Sequence, residues 1–583
     1  MADEMTDPTN NASNKLLVRR HVLTSIQALS AINKPSKESK LTQLERLKTL
    51  NTPQAVCDVL VKELERTPDD NQRQIISEFL MELADIEWVR DGLWRIIQSP
   101  HTPDGTKDNA NLILRNLGDE TDPDVYLDYL KDPEALITEE TERMLQIATK
   151  NPESLIDFID FIVSLPVGEQ LRLLRSLQSD YPPDYLIHLF IPLYWANTPP
   201  ELKDHVIEQV LKSHLPLAKS LLQDVSQYDH DPKRKTLAKK EVNKPQLTTV
   251  QNNANPLAVS TEDNAFSEPA ICYATLPDGI GNQGILYSRK KQNGDTTLIG
   301  FALNDTYGLM DCFGFYQLSP NEVTQLVEKF HEESLKIPVP ESYCQEKLQD
   351  AEAFNKTEGT PIPYEYMCWK SIFETSHQGT TKEAFEDASL ARCRQLADTK
   401  WSLSTQNLYL HPDFETWFIE IGDIPPITKV LKQAQEDILH GLQNQTETTA
   451  LIARVDQAAQ EIVKAVLHDS DHKQRFLNRL IDATYLLSQS DTQSFAPLAA
   501  TEVMKLIDYP KDKEETIAQC GFICAFGRRC LTEHLLRMQQ HPKQYDVIAP
   551  RQLDALVSAI LVQWEDEFSL DPEATGNQTE DNS

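Results

Sequence analysis

The feature that most constrains this chain is a repeated way of starting helices. A short polar residue followed by proline recurs at Thr52-Pro53, Asp122-Pro123 and Asn151-Pro152. Such a polar side chain accepts a hydrogen bond from a free N–H of the first turn, and proline at the first helical position sacrifices no internal bond. Thr198-Pro199-Pro200-Glu201 adds a predicted capping box. First helices of successive pairs are then predicted near residues 53, 86, 122, 151, 182 and 215, a period of about 32 residues. Apolar residues keep the same rhythm. Val56, Val59, Leu60 and Leu64 share one helix face, and Ile75, Ile76, Phe79, Leu80 and Leu83 share the next. A unit this small buries too little surface to stand alone, so neighbours must stack.

Within residues 46–228, units such as DPDVYLDYLKDPEALITEETERMLQIATK resemble HEAT-like helical repeats. The resemblance implies an α-solenoid and an interaction role for under a third of the chain. The tryptophan-leucine-glycine-tyrosine pattern of tetratricopeptide repeats does not recur, and an irregular helical domain is the alternative. The expected class is mainly α: an N-terminal α-solenoid of helix pairs, a small antiparallel α+β module, and a C-terminal helical domain.

The rest of the chain divides by composition. Residues 1–45 form a polar N-terminal segment with one short helical candidate at 16–29. Residues 229–269 read as a flexible basic linker, in which KRKTLAKKEVNK carries six basic residues and one acid between Lys233 and Lys244. Residues 270–335 switch to β-prone runs, ICYATLP, GILYSRKK and TTLIGFAL, and Gln292-Asn293-Gly294-Asp295 marks a hairpin. Ser319-Pro320-Asn321-Glu322 then opens a helix with cap, proline and capping-box acid. Residues 336–568 are expected to be a helical domain, with an internal boundary near 420, and 569–583 a disordered acidic tail.

Composition narrows the function classes. Glycine is scarce, 18 of 583, beside 34 prolines, which excludes collagen-like and glycine-linker chains. The formal net charge of −34 argues against general binding to nucleic acid or anionic membrane. The longest apolar run, residues 186–196, contains His188 and Pro192, whereas a membrane span needs about 20 apolar residues. Residues 1–15 have no basic start and no apolar stretch, so no secretory signal is read there. Nine cysteines without an even framework suggest reduced thiols and a cytoplasmic setting.

Three groups of residues could carry chemistry. Gly279-Ile280-Gly281-Asn282-Gln283-Gly284 is a formal GxGxxG, but a dinucleotide loop needs a helix after it and ILYSRKK reads as a strand. Asp311-Cys312-Phe313-Gly314 bears only a superficial likeness to a kinase DFG, and no HRD loop accompanies it. Cys520, Cys524, Cys530 and His534 share one face of a predicted helix. At 1.5 Å per residue, the ends of that set lie about 21 Å apart, too far for one tetrahedral metal. His468-Asp469-Ser470-Asp471-His472 offers two histidines four apart, yet its middle reads as a helix cap. Trp88, Trp94 and Trp195 are expected in the repeat cores, and Trp369, Trp401 and Trp417 in the C-terminal helices. No GxSxG, Walker loop, HExxH or EF-hand is present.

No catalytic, cofactor-binding or metal residue is therefore assigned. The leading expectation is a cytoplasmic scaffold that binds a protein or peptide along the repeats, with the charge favouring basic partners. The alternative is an enzyme or ligand-binding protein with its site in residues 270–420, where Asp278, Asn304, Asp305 and Asp311 cluster at predicted turns. It requires those groups to converge on a concave pocket. A third reading, nucleic-acid binding through Lys233 to Lys244, is disfavoured by the charge.

Overall fold

A computed structural model describes residues 8–32, 35–121, 125–126, 128–132, 145, 151–181, 183–213, 215–244, 266–332, 336–373, 382–398, 400, 403–508 and 520–568. The chain is mainly helical, with packed helix pairs in its N-terminal part, a small antiparallel sheet in the middle and helices at its C-terminal end. Helices α1 (Pro8–Ser30), α2 (Lys37–Leu50), α3 (Pro53–Arg66), α4 (Asp70–Leu83), α5 (Ile86–Gln98) and α6 (Asp104–Asn116) form the first run. The second run is α7 (Pro152–Ser164), α8 (Val167–Asp180), α9 (Pro183–Trp195), α10 (Pro200–Val210), α11 (Pro216–Tyr228) and α12 (Pro232–Val242). Five helices thus begin within a residue of the expected 53, 86, 151, 182 and 215, two of them at the polar-proline pairs Thr52-Pro53 and Asn151-Pro152; Thr52 makes no side-chain cap bond, so there proline alone marks the start. The unit at 122–150 lies almost wholly outside the described residues. Asn151 caps α7 through the Glu153 amide at 3.0 Å. The capping box at 198–201 does not form, because Thr198 donates its hydroxyl to the Leu193 carbonyl instead.

Two segments hold more helix than expected: α1 contains and extends the candidate at 16–29, and α2 and α12 add to it. The polar N-terminal segment holds α1 and α2, and Val18, Val22, Ile26 and Leu29 of α1 are buried against the first repeats. In α2 only Leu44 and Leu47 are buried among many polar residues, so average polarity hid that helix. Lys233 to Lys244, expected in a flexible linker, mostly belongs to α12. Asp231 accepts from the Lys233 amide at 2.7 Å and the Arg234 amide at 3.2 Å, and Arg234 pairs with Asp229 at 3.0 Å and Asp204 at 2.9 Å. Lysine, arginine, leucine and alanine are strong helix formers, and buried Ala238 lets α12 pack on α11. Residues 245–265 of that linker and the tail from 569 lie outside the described residues.

The sheet has the order β4-β3-β2-β1-β5, all antiparallel. Its strands are β1 (Ile271–Ala274), β2 (Asn282–Lys290), β3 (Thr296–Asn304), β4 (Gly308–Leu318) and β5 (Ile337–Val339). Gly294 takes φ +93° at the predicted hairpin. Helix α13 (Pro320–Glu332) starts with the predicted capping box, Ser319 N donating to Glu322 Oε2 at 2.9 Å. It covers one sheet face over Leu286, Leu298 and Leu318. β5 carries the sheet past residue 335 to pair with β1.

The other sheet face packs on α14 (Glu341–Glu358) and α15 (Tyr364–Phe373). Beyond them come α16 (Lys382–Leu396), α17 (Pro425–Gln443), α18 (Thr448–His468), α19 (Ser470–Leu487), α20 (Ala496–Ile507), α21 (Gly521–Gln540) and α22 (Pro550–Phe568). The second helix run also rests on the module. Glu153 accepts from the Tyr316 amide at 2.9 Å, Asp160 accepts from the Tyr364 hydroxyl, and Asp224 pairs with Lys356 at 2.6 Å. One hydrophobic core therefore runs from α7 to α22, while α1–α6 close a separate core.

Candidate functional site

The glycine loop is a turn between β1 and β2, and its own chain consumes its donors. Asp278 accepts from the amides of Ile280 at 3.0 Å and Asn282 at 2.8 Å, and its carbonyl accepts from Gly281 at 3.1 Å. A phosphate cradle needs those N–H groups free and a helix behind them; a strand follows instead. Gly281 adopts φ +90°, and a Cβ there would lie 2.2 Å from Asp305 Oδ1. The glycine is required by packing and backbone geometry.

Asp278, Asn304 and Asp305 meet at this end of the sheet. Asn304 donates to the Ile280 carbonyl at 3.2 Å and accepts from the amides of Thr306 and Tyr307. Asp305 receives the Arg479 guanidinium of α19 at 2.6 and 2.7 Å, and the same guanidinium reaches the carbonyls of Gly279 and Ile280. Asp311 is elsewhere on β4, folded back to its neighbour's amide, Cys312 N, at 2.8 Å. Beside the first three lies a cavity of about 270 Å³ between the sheet end, the start of α17 and one face of α19. Its polar lining includes Asn304, Thr306, Asp423, His472, Arg475 and Arg479. Four of these six, Asp423, His472, Arg475 and Arg479, lie beyond residue 420. The expectation of a site within 270–420 therefore omitted its cationic side. The available signal was the spacing of His472, Arg475 and Arg479, three and then four apart on one helix face.

The histidine motif divides between two helices. His468 ends α18, and Asp469 caps α19 by accepting from Asp471 N at 3.0 Å and His472 N at 2.9 Å. The cysteine group lies along α21 as the spacing requires, with Cys520 just before its first residue. Cys530 Sγ accepts from Ile419 N at 3.2 Å, and His534 shares a hydrogen bond with Gln435 at 3.0 Å. Burial pushes the Cys524 thiol up to about 11 and the Cys530 thiol up to about 12, which keeps both protonated and unreactive. Among the described residues, no three His, Cys, Asp or Glu side chains are placed to hold a metal. None of the nine cysteines is in a disulfide.

Burial, with Arg537 nearby, depresses His534 from 6.5 to about 4. The unfolded chain therefore binds a proton between those values that the folded chain refuses. Stability attributable to this ring is complete above pH 6.5 and falls as pH drops towards 4, by about 2 kcal/mol at pH 5. Urea unfolding at pH 7 and pH 5 measures it, and His534→Gln is expected to reduce the pH difference by that amount.

The tryptophans divide differently from expectation. Trp195, Trp369 and Trp417 are buried, and Trp94 donates to Asp119 at 3.0 Å. Trp88 was expected in the core but is 39% exposed. The interior of α5 is filled instead by Val89, Leu93, Ile96 and Ile97, whose spacing excludes residue 88. Trp417 follows a short 3-10 turn, Pro412–Thr416, and Trp401 lies outside the described residues. No helix among the described residues is long and apolar enough to cross a membrane. Comparison with protein families, curated proteins and solved structures finds no match to this chain.

Proposed function

We propose that this protein is an interaction scaffold whose N-terminal repeats, HEAT-like in pattern, hold a basic protein or peptide. The observation that carries the reading is Trp88. It stands exposed on α5 with exposed Asp91 three residues after it and, three residues before it, exposed Asp85, which caps α5 through the Glu87 amide at 3.0 Å. A solvent-facing indole between carboxylates suits an arginine or lysine side chain, through cation–π attraction and ion pairing together. The first run of helices closes its own core yet leaves Leu16, Leu41, Leu50 and Leu112 outside it, and exposed apolar side chains of this kind favour association. The overall charge of −34 speeds approach of a basic partner. Nine free thiols suit a reducing compartment, and the cytoplasm is the proposed location.

Fluorescence anisotropy with labelled peptides of graded net charge, titrated against the full chain, tests this. Basic peptides should bind and acidic ones should not, with affinity falling as salt rises. Trp88→Ala should weaken binding by about 2 kcal/mol, roughly 30-fold. Equal retention of basic peptides by the variant would sink the assignment.

A further inference from the structure

The cavity beside the glycine turn holds a cation that its surroundings leave largely unused. Arg479 is consumed by Asp305 and two carbonyls. Arg475, one helical turn away, is half-buried and makes one hydrogen bond, to Thr306 Oγ1 at 2.7 Å; no ion pair within 4 Å engages it among the described residues, although the Asp469 carboxylate at the α19 cap is near enough to feel its charge. A guanidinium offers five N–H donors in one plane. None of the Arg475 nitrogens is both buried and unbonded, so the donors that Thr306 leaves unmet are open to a ligand at the cavity.

That wall is supplied by Ile280, Ile419, Ile424, Val466 and Phe476, which face the same space. The charge count sets the ligand's valence. Asp305 balances Arg479, and Asp423 on the rim is partly engaged by the Glu420 amide at 2.7 Å. Asp469 is half exposed and spends one oxygen on the Asp471 and His472 amides, outside the cavity lining, so Arg475 remains to match one negative charge, and a dianion would also meet the Asp423 carboxylate. The planar fork pairs two N–H groups with two coplanar oxygens, the geometry of a carboxylate. Apolar walls take up a small hydrocarbon body, and a space of about 270 Å³ is near the lower end of small-ligand sites.

The geometry points to a binding site for a small monocarboxylate with an apolar body, held by Arg475 at the junction of the sheet and α19. This site is independent of the repeat surface, so either assignment stands or falls alone.

Benzoate serves as the probe, with benzamide as its uncharged isostere and phenyl phosphate as a dianionic counterpart. Calorimetric titration of the full chain and saturation-transfer NMR should detect benzoate binding in the millimolar range. Benzamide and phenyl phosphate should each bind at least about tenfold more weakly, the loss expected for one charge-assisted hydrogen bond. Arg475→Gln should lose benzoate affinity by a similar factor with its melting temperature little changed. Arg475→Lys, which keeps the charge without the fork, should fall between and guards against a folding defect in the first variant. Absence of benzoate binding, equal binding of benzamide, tighter binding of phenyl phosphate, or undiminished benzoate binding by both variants would each overturn the site.

Discussion

Glu352→Ala is expected to destabilise the protein by about 3–5 kcal/mol, the cost of removing one partner from a buried ionic group. Burial opposes ionisation of Glu352, yet Lys370 and Lys356 hold its carboxyl down at about 2. One oxygen accepts from both lysines at 2.7 Å and the other from the Tyr366 hydroxyl at 2.8 Å. Lys356 also reaches Asp224 of α11 and lies over the Trp195 ring of α9. The carboxylate therefore holds α14 and α15 together and supports the contact between the helix pairs and the module. The sign of its pH dependence follows. The folded carboxyl lies below its ordinary value, so its contribution is complete above about pH 4.5 and is lost as pH falls towards 2. Urea unfolding followed by tryptophan fluorescence gives the magnitude. Replacing Glu352, Lys356 and Lys370 together by leucine and methionines should recover much of the loss, because no buried charge is left unpaired; Asp224 loses Lys356 but is about one-third exposed and rehydrates. If the triple variant were as unstable as Glu352→Ala, lost packing would be the cause and the electrostatic account would fail.

Arg479→Ala should cost about 3 kcal/mol. The change removes both hydrogen bonds to Asp305 and leaves the carbonyls of Gly279 and Ile280 without their donor. Asp305 is about one-third exposed and rehydrates, which holds the figure below that of Glu352. Hydrogen exchange should locate the effect, with faster exchange at residues 278–284 and no change in α20. Gly281→Ala is destabilising for a connected reason, since the new methyl would strike Asp305 while Arg479 holds it in place. In the Arg479→Ala background Asp305 is free to turn away, so Gly281→Ala should cost less there than in the natural chain. Simple additivity would show that the strain at Gly281 is in its φ alone.

The parts of the fold that were legible in the sequence are those specified by neighbours along the chain. Helix starts at Pro53 and Pro152 followed from the absence of a proline N–H, and the turn at Asn293-Gly294 from the positive φ that glycine tolerates. The capping box at Ser319 and Glu322 spans four residues and formed as written. Reading failed where average polarity masked a helix. In α2 and α12, a few buried positions among many charged ones suffice because a neighbouring helix supplies the rest of the core.

The candidate sites separate in the same way. Helical spacing alone established that Cys520 and His534 are too far apart for one metal. It could not show that Asp278 consumes the amides of the glycine loop, or that Trp88 faces solvent. Arg479 lies 174 residues from Asp305 and Lys356 lies 132 from Asp224, and no local rule couples positions so distant. By itself, then, the sequence determined the helix pairs, their period, the hairpin and the excess of negative charge, since these depend on dihedral preference, amphipathic spacing and composition. Only the tertiary structure decided which charges are buried in pairs, which aromatic ring stays in water and where a cavity opens, because those outcomes depend on which distant surfaces exclude water from one another.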